Sequence, residues 1–97
     1  MVKDNVIKKK YKYSELTSKI IGTAMEVHKF LGNGFQEVIY QRALAIELKE
    51  RGLSFVREQE MQIKYKETDI GTRKVDFFIE DKIILEIKAV IRLEDLR

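Results

Sequence analysis

At 97 residues the chain has room for one small domain, and 44 % apolar with 36 % charged residues excludes a disordered or fibrous protein. The absence of cysteine excludes disulfides, thiolate zinc sites and cysteine nucleophiles, and fits a reducing, cytoplasmic setting. A single histidine excludes a multi-histidine metal site within one chain, and no apolar run approaches the ~18 residues that span a bilayer, so no membrane partner is expected.

The formal net charge of +3 is unevenly placed. Residues 1–14 hold Lys3, Lys8, Lys9, Lys10 and Lys12 against Asp4, a net of +4, which leaves −1 for the rest. The excess therefore belongs to a basic leader, residues 1–13, ahead of a single domain over 14–97. A solvated leader and a phosphate-binding arm are both compatible with it, so charge permits a nucleic-acid partner without requiring one.

Leu16, Ile20, Ala24, Val27 and Leu31 recur at three- and four-residue steps, which predicts an amphipathic helix over 14–31. Ser14 or Thr17 can cap it, and Gly32 stops it. The turn Gly32-Asn33-Gly34 permits positive φ and folds a second helix, 35–51, back on the first. Ile39, Ala43 and Ile46 line one of its faces with Tyr40, Leu44 and Leu48 beside it, and Gly52 closes it.

The period then changes from 3.6 to 2. Met61, Ile63 and Tyr65 alternate with Glu60, Gln62, Lys64 and Lys66, which predicts a half-buried strand over 55–65. Residues 67–71 read as a turn. Two β-rich runs, 74–79 and 83–90, are separated by Glu80-Asp81-Lys82, the signal for a hairpin. The expected class is α+β, with two N-terminal helices packed on a three-stranded, mainly antiparallel sheet. So small a domain buries only about 60 % of its unfolded surface, so self-association into a homo-oligomer is expected to support it.

The last run, Ile83 to Val90, carries Glu86 and Lys88 inside an otherwise apolar strand, where charges are costly unless paired or bound to a cation. At period 2 these two share a face. If Ile79 pairs with Ile83 across a three-residue loop, Asp76 stands opposite Glu86; a two-residue turn would instead pair Asp76 with Leu85. Two neighbouring carboxylates repel, and a hard divalent cation relieves the repulsion. A lysine beside them can orient or deprotonate water or stabilise a phosphoryl oxygen. The competing reading is an ion pair on a half-exposed sheet face.

A second constellation is Gly34, Glu37 and Tyr40. Glu37 and Tyr40 share a helix face, yet with Gly34 as N-cap Glu37 is also a first-turn acid that favours the helix dipole, and Tyr40 a core residue with its hydroxyl at the rim. His28 on the first helix reads as a packed residue or a catalyst.

Taken together, the stretch 20–40, with His28, Gly34, Glu37 and Tyr40, and the pattern Asp76…Glu86-x-Lys88 resemble the GxxExxY family of the PD-(D/E)XK nuclease superfamily. The resemblance implies Asp76 and Glu86 as metal ligands, Glu37 as a third metal-site acid and Lys88 as the catalytic lysine. Gly34, Tyr40 and His28 carry over as motif residues without an assigned role. It further implies Mg²⁺ or Mn²⁺ as cofactor and DNA or RNA as the partner cleaved. Asn33 replaces a usual proline in the turn, and Val75 a proline before the aspartate. The superfamily core is αβββαβ, and here the sequence stops where Leu93-Glu94-Asp95-Leu96 begins the next helix, so a C-terminally truncated core is expected. Such a chain is either a nuclease or a catalytically weak relative that oligomerises or binds nucleic acid.

Overall fold

The computed structural model describes residues 13–92; most of the basic leader and the helix expected from residue 93 lie outside them. Helix α1, Ser14–Leu31, and helix α2, Glu37–Glu50, come first. Strands β1, Phe55–Tyr65, β2, Thr68–Ile79, and β3, Ile83–Leu85, follow, and a short helix α3, Ile87–Ile91, ends the described chain. The strands form one antiparallel sheet in the order β1-β2-β3, so the expected α+β class is what is found.

The helices lie on one face of the sheet. Ile20, Ala24 and Val27 of α1, Tyr40, Leu44 and Leu48 of α2, and Phe77 and Ile79 of β2 make one buried cluster, which Ile87 and Val90 of α3 complete. Along β2 Val75, Phe77 and Ile79 are buried while Asp76 and Phe78 are half-buried, so Asp76 lies on the face turned away from the helices. Phe55 packs edge-to-face on Phe77, with ring centroids 5.6 Å apart, and extends the core to the edge strand.

The start of α1 and the end of α2 are set by backbone rather than by side-chain caps. Tyr13, not Ser14 or Thr17, is the N-cap of α1, and its carbonyl accepts the Thr17 amide at 2.8 Å. At the end of α2 the Gly52 amide reaches Lys49 O and the Leu53 amide Leu48 O, both at 3.0 Å. These two bonds are the Schellman closure, and it requires the positive φ of 74° that Gly52 adopts without strain.

Two strand limits differ from the sequence expectation. Strand β2 begins at Thr68 rather than 74, because the turn is only Lys66-Glu67, both at positive φ, and the ladder resumes at Tyr65↔Thr68. Strand β3 ends at Leu85 rather than at 90. Beyond it Ile87, Val90 and Ile91 stand at helical spacing, and a turn of helix buries Ile87 and Val90 against the core.

Candidate active site

The β2–β3 connection decides which residues meet. Ile79 pairs with Ile83, Phe78 with Ile84 and Phe77 with Leu85 across a loop of Glu80, Asp81 and Lys82. Glu80 and Asp81 both take positive φ, and Lys82 N donates to Ile79 O at 3.0 Å, the geometry of a primed turn with one extra residue. The ladder ends there; a further step would set Asp76 opposite Glu86, the alternative that a three-residue loop demands, but Glu86 is already outside β3. The loop is latched from outside: the Ser54 hydroxyl and amide donate to Glu80 Oε2 at 2.5 and 2.6 Å. These hydrogen bonds hold the Glu80 carboxyl below its ordinary value, with Lys82 and Lys19 adding smaller electrostatic contributions.

Each of these two carboxylates has one partner. Asp76 Oδ2 accepts the Ile87 amide at 2.7 Å, which satisfies one of the free N–H groups at the start of α3. Glu86 Oε1 pairs with Arg73 Nη2 at 2.7 Å. Asp76 Oδ1 and Glu86 Oε2 make no hydrogen bond or ion pair among the described residues.

Lys88 is placed differently from the sequence expectation. Glu86 is the last extended residue, at φ −107° and ψ 140°, and Lys88 is the second residue of α3. The two therefore do not alternate along one strand, and Lys88 stands exposed on the helix. The cause is the pair of contacts already named: Asp76 caps the Ile87 amide, and Ile87 with Val90 finds the core only if the chain turns.

Glu37 is the first residue of α2 behind Gln36 as N-cap, not the third behind Gly34, and it is exposed. It keeps the helix-dipole role of a first-turn acid. Among the described residues no three acidic or histidine side chains are grouped closely enough to hold a metal ion, so Glu37 is not drawn together with Asp76 and Glu86. Gly34 takes φ 98°, which a residue with a Cβ rarely adopts.

Tyr40 is buried, and its hydroxyl donates to Gly32 O at 2.5 Å. Phe35 packs edge-to-face on the same ring at 6.2 Å. The Gly34…Tyr40 segment thus ties the start of α2 to the end of α1. His28 is buried in α1, and its Nε2 has no hydrogen-bond partner among the described residues. Sequence reasoning missed Arg73. A strand arginine three residues before an acid carries no spacing signal by itself, and its pairing depends on the chain leaving the sheet at Glu86.

The profile of the PD-(D/E)XK nuclease superfamily matches residues 14–97. The chain belongs to that superfamily. No curated protein and no solved structure matches it. The superfamily match starts at the first residue of α1 and takes in all six elements, including the whole β2–β3 hairpin that carries Asp76 and Glu86. No helix among the described residues is long and apolar enough to cross a membrane.

Proposed function

We propose that this PD-(D/E)XK domain is a divalent-metal-dependent nuclease of the GxxExxY type, hydrolysing phosphodiester bonds of DNA or RNA. The observation that supports the reading is the β2–β3 ladder, which runs to Phe77↔Leu85, one step short of Asp76 and Glu86, within a domain of a nuclease superfamily.

The donor set fits a hard cation. Asp76 Oδ1 and Glu86 Oε2 are two carboxylate oxygens without protein partners among the described residues, and Mg²⁺ is commonly held by one or two carboxylates with water and substrate phosphate completing its shell. Mg²⁺ or Mn²⁺, when bound, supplies positive charge to the scissile phosphate and lowers the pKa of water. Asp76 and Glu86 would hold it. Lys88, exposed and without a side-chain partner among the described residues, orients the attacking water or stabilises a phosphoryl oxygen through its ammonium at Nζ. Glu37 keeps its place as a first-turn acid at the start of α2, outside the metal site, and Tyr40 with Gly34 and His28 maintains the helix pair beneath the site. Self-association belongs to the same reading: Phe30 and Ile46 lie side by side on the outer helix surface, 87 % and 62 % exposed.

Cleavage of single- and double-stranded DNA and RNA, with and without Mg²⁺ or Mn²⁺, tests this. Activity should need the cation and vanish in Asp76→Asn and Lys88→Ala; cleavage unchanged in both variants would sink the assignment. The placement of Lys88 on α3 favours one second reading, a nucleic-acid-binding relative with weak catalysis. Salt-dependent binding without cleavage would select it.

A further inference from the structure

The Arg73–Glu86 ion pair is 2.7 Å long, but its side chains are 52 % and 38 % exposed. A pair so open to water contributes little to the fold. It does place a guanidinium on one of the two carboxylates to which the nuclease reading assigns a cation. Arg73 lies on β2 three residues before Asp76, about 10 Å along the strand and at an alternate position on the opposite face, so it meets the site through Glu86 alone. Its planar fork of donors suits a phosphoryl group as well as a carboxylate.

We propose that Arg73 is the exchangeable cation of this site. It neutralises Glu86 before the divalent ion arrives, gives the carboxylate up to that ion, and turns its fork to a non-bridging oxygen of the nucleic-acid phosphate. The inference rests on the nuclease reading and adds an order to it: cation and substrate support each other's binding through one arginine. Before loading, Glu86 has lost part of its attraction for a cation and Arg73 part of its attraction for phosphate. Once Glu86 is committed to the ion, the arginine carries an unpaired charge next to the site. Cation binding and nucleic-acid binding are then positively coupled, and the coupling must be reciprocal.

Mn²⁺ binding to the full chain, followed by isothermal calorimetry without nucleic acid, tests the exchange in wild type, Arg73→Gln, Arg73→Lys and Glu86→Gln. Removing the competing charge should tighten Mn²⁺ binding about three- to tenfold in Arg73→Gln, the factor expected for losing one exposed ion pair and its local repulsion, with Arg73→Lys between that and wild type. With Mn²⁺ present, binding of a single-stranded oligonucleotide to Arg73→Gln should weaken, with a salt slope about one unit shallower, and without Mn²⁺ the difference from wild type should be smaller. Equal or weaker Mn²⁺ affinity in Arg73→Gln, while Glu86→Gln weakens it, overturns the exchange and leaves the metal site standing. Mn²⁺ affinity that is the same in wild type and Glu86→Gln removes the metal site and the exchange together. A thermal melt of Arg73→Gln close to wild type identifies these changes as local.

Discussion

The Tyr40 hydroxyl donates to the carbonyl oxygen of Gly32 across eight residues, at 2.5 Å, and so fastens the second helix to the end of the first. The ring is 1 % exposed, and the Gly32 amide is itself bonded to His28 O at 2.8 Å. Residue 32 is thus held from both sides, which fixes the turn that reverses the chain. In Tyr40→Phe the Gly32 carbonyl loses this partner while the packing stays, at a cost of about 1–2 kcal/mol. Tyr40→Ala should cost about 3–5 kcal/mol, because a buried aromatic side chain is deleted. Urea denaturation checks both. A Tyr40→Phe variant as stable as wild type but unable to cleave would give the hydroxyl a chemical role instead.

Asp76 serves the fold and the proposed chemistry through different oxygens. Oδ2 caps the Ile87 amide, so Asp76→Asn keeps an acceptor in place while Asp76→Ala does not. The alanine variant should therefore be about 1–2 kcal/mol less stable than the asparagine variant. Both should weaken Mn²⁺ binding, since each removes the carboxylate's negative charge from the site. Chemical denaturation and calorimetry separate the two effects.

Glu80 gives the domain a specific acid sensitivity. Its folded pKa is depressed by the Ser54 hydroxyl and amide, so the carboxylate's contribution is complete above its ordinary value of 4.5. That contribution fades as pH falls from 4.5 through the lower folded value. Glu80→Gln should flatten the stability–pH curve in that acid window and leave its shape above pH 5 nearly unchanged. Thermal melts from pH 3 to 7 check this, and an equally steep acid limb in the variant would move the cause to another carboxylate.

Phe30 and Ile46 line a groove between α1 and α2 whose rim carries Glu26, Glu47 and Glu50. If two copies associate there, Phe30→Glu with Ile46→Lys should convert a dimer to a monomer without loss of stability, because both side chains are already exposed. Light scattering at micromolar concentration reads the outcome. A monomeric wild type would remove self-association from the proposal.

Much of this organisation is legible in the residues, and the exceptions have physical reasons. The stripe from Leu16 to Leu31 marks α1 because one face of that helix meets the core; the alternation through Met61, Ile63 and Tyr65 marks β1 as a strand, but only Met61 of the three is half-buried and Ile63 and Tyr65 are exposed. The start of β2 is not legible. Residues 68–72 are exposed on both sides, so main-chain pairing holds them and no apolar alternation is needed. The end of β3 is ambiguous: Ile87, Val90 and Ile91 fit a helical stripe, while the β-branched run from Ile83 reads as strand. Tertiary burial of Ile87 and Val90 decides for the helix. In the site, the three-residue loop predicts Ile79 opposite Ile83, as the observed ladder has it, and that ladder ends one step before Asp76 and Glu86. Lys88 and Glu37 depend on where a strand yields to a helix and where a helix starts, which spacing alone leaves open.

The β1–β2 hairpin is buried only at the end near Ile79, and from Thr68 to Lys74 every residue of β2 is exposed. Its outer half is therefore a ribbon held by its ladder, while its inner half belongs to the core. The boundary between fast and slow amide exchange should run across β2 near Val75 rather than between one strand and the next. Asp76 sits just on the slow side of that line. The carboxylate assigned to the metal is thus carried by the most persistent part of the sheet, and the ribbon beside it can open and close without dissolving the site.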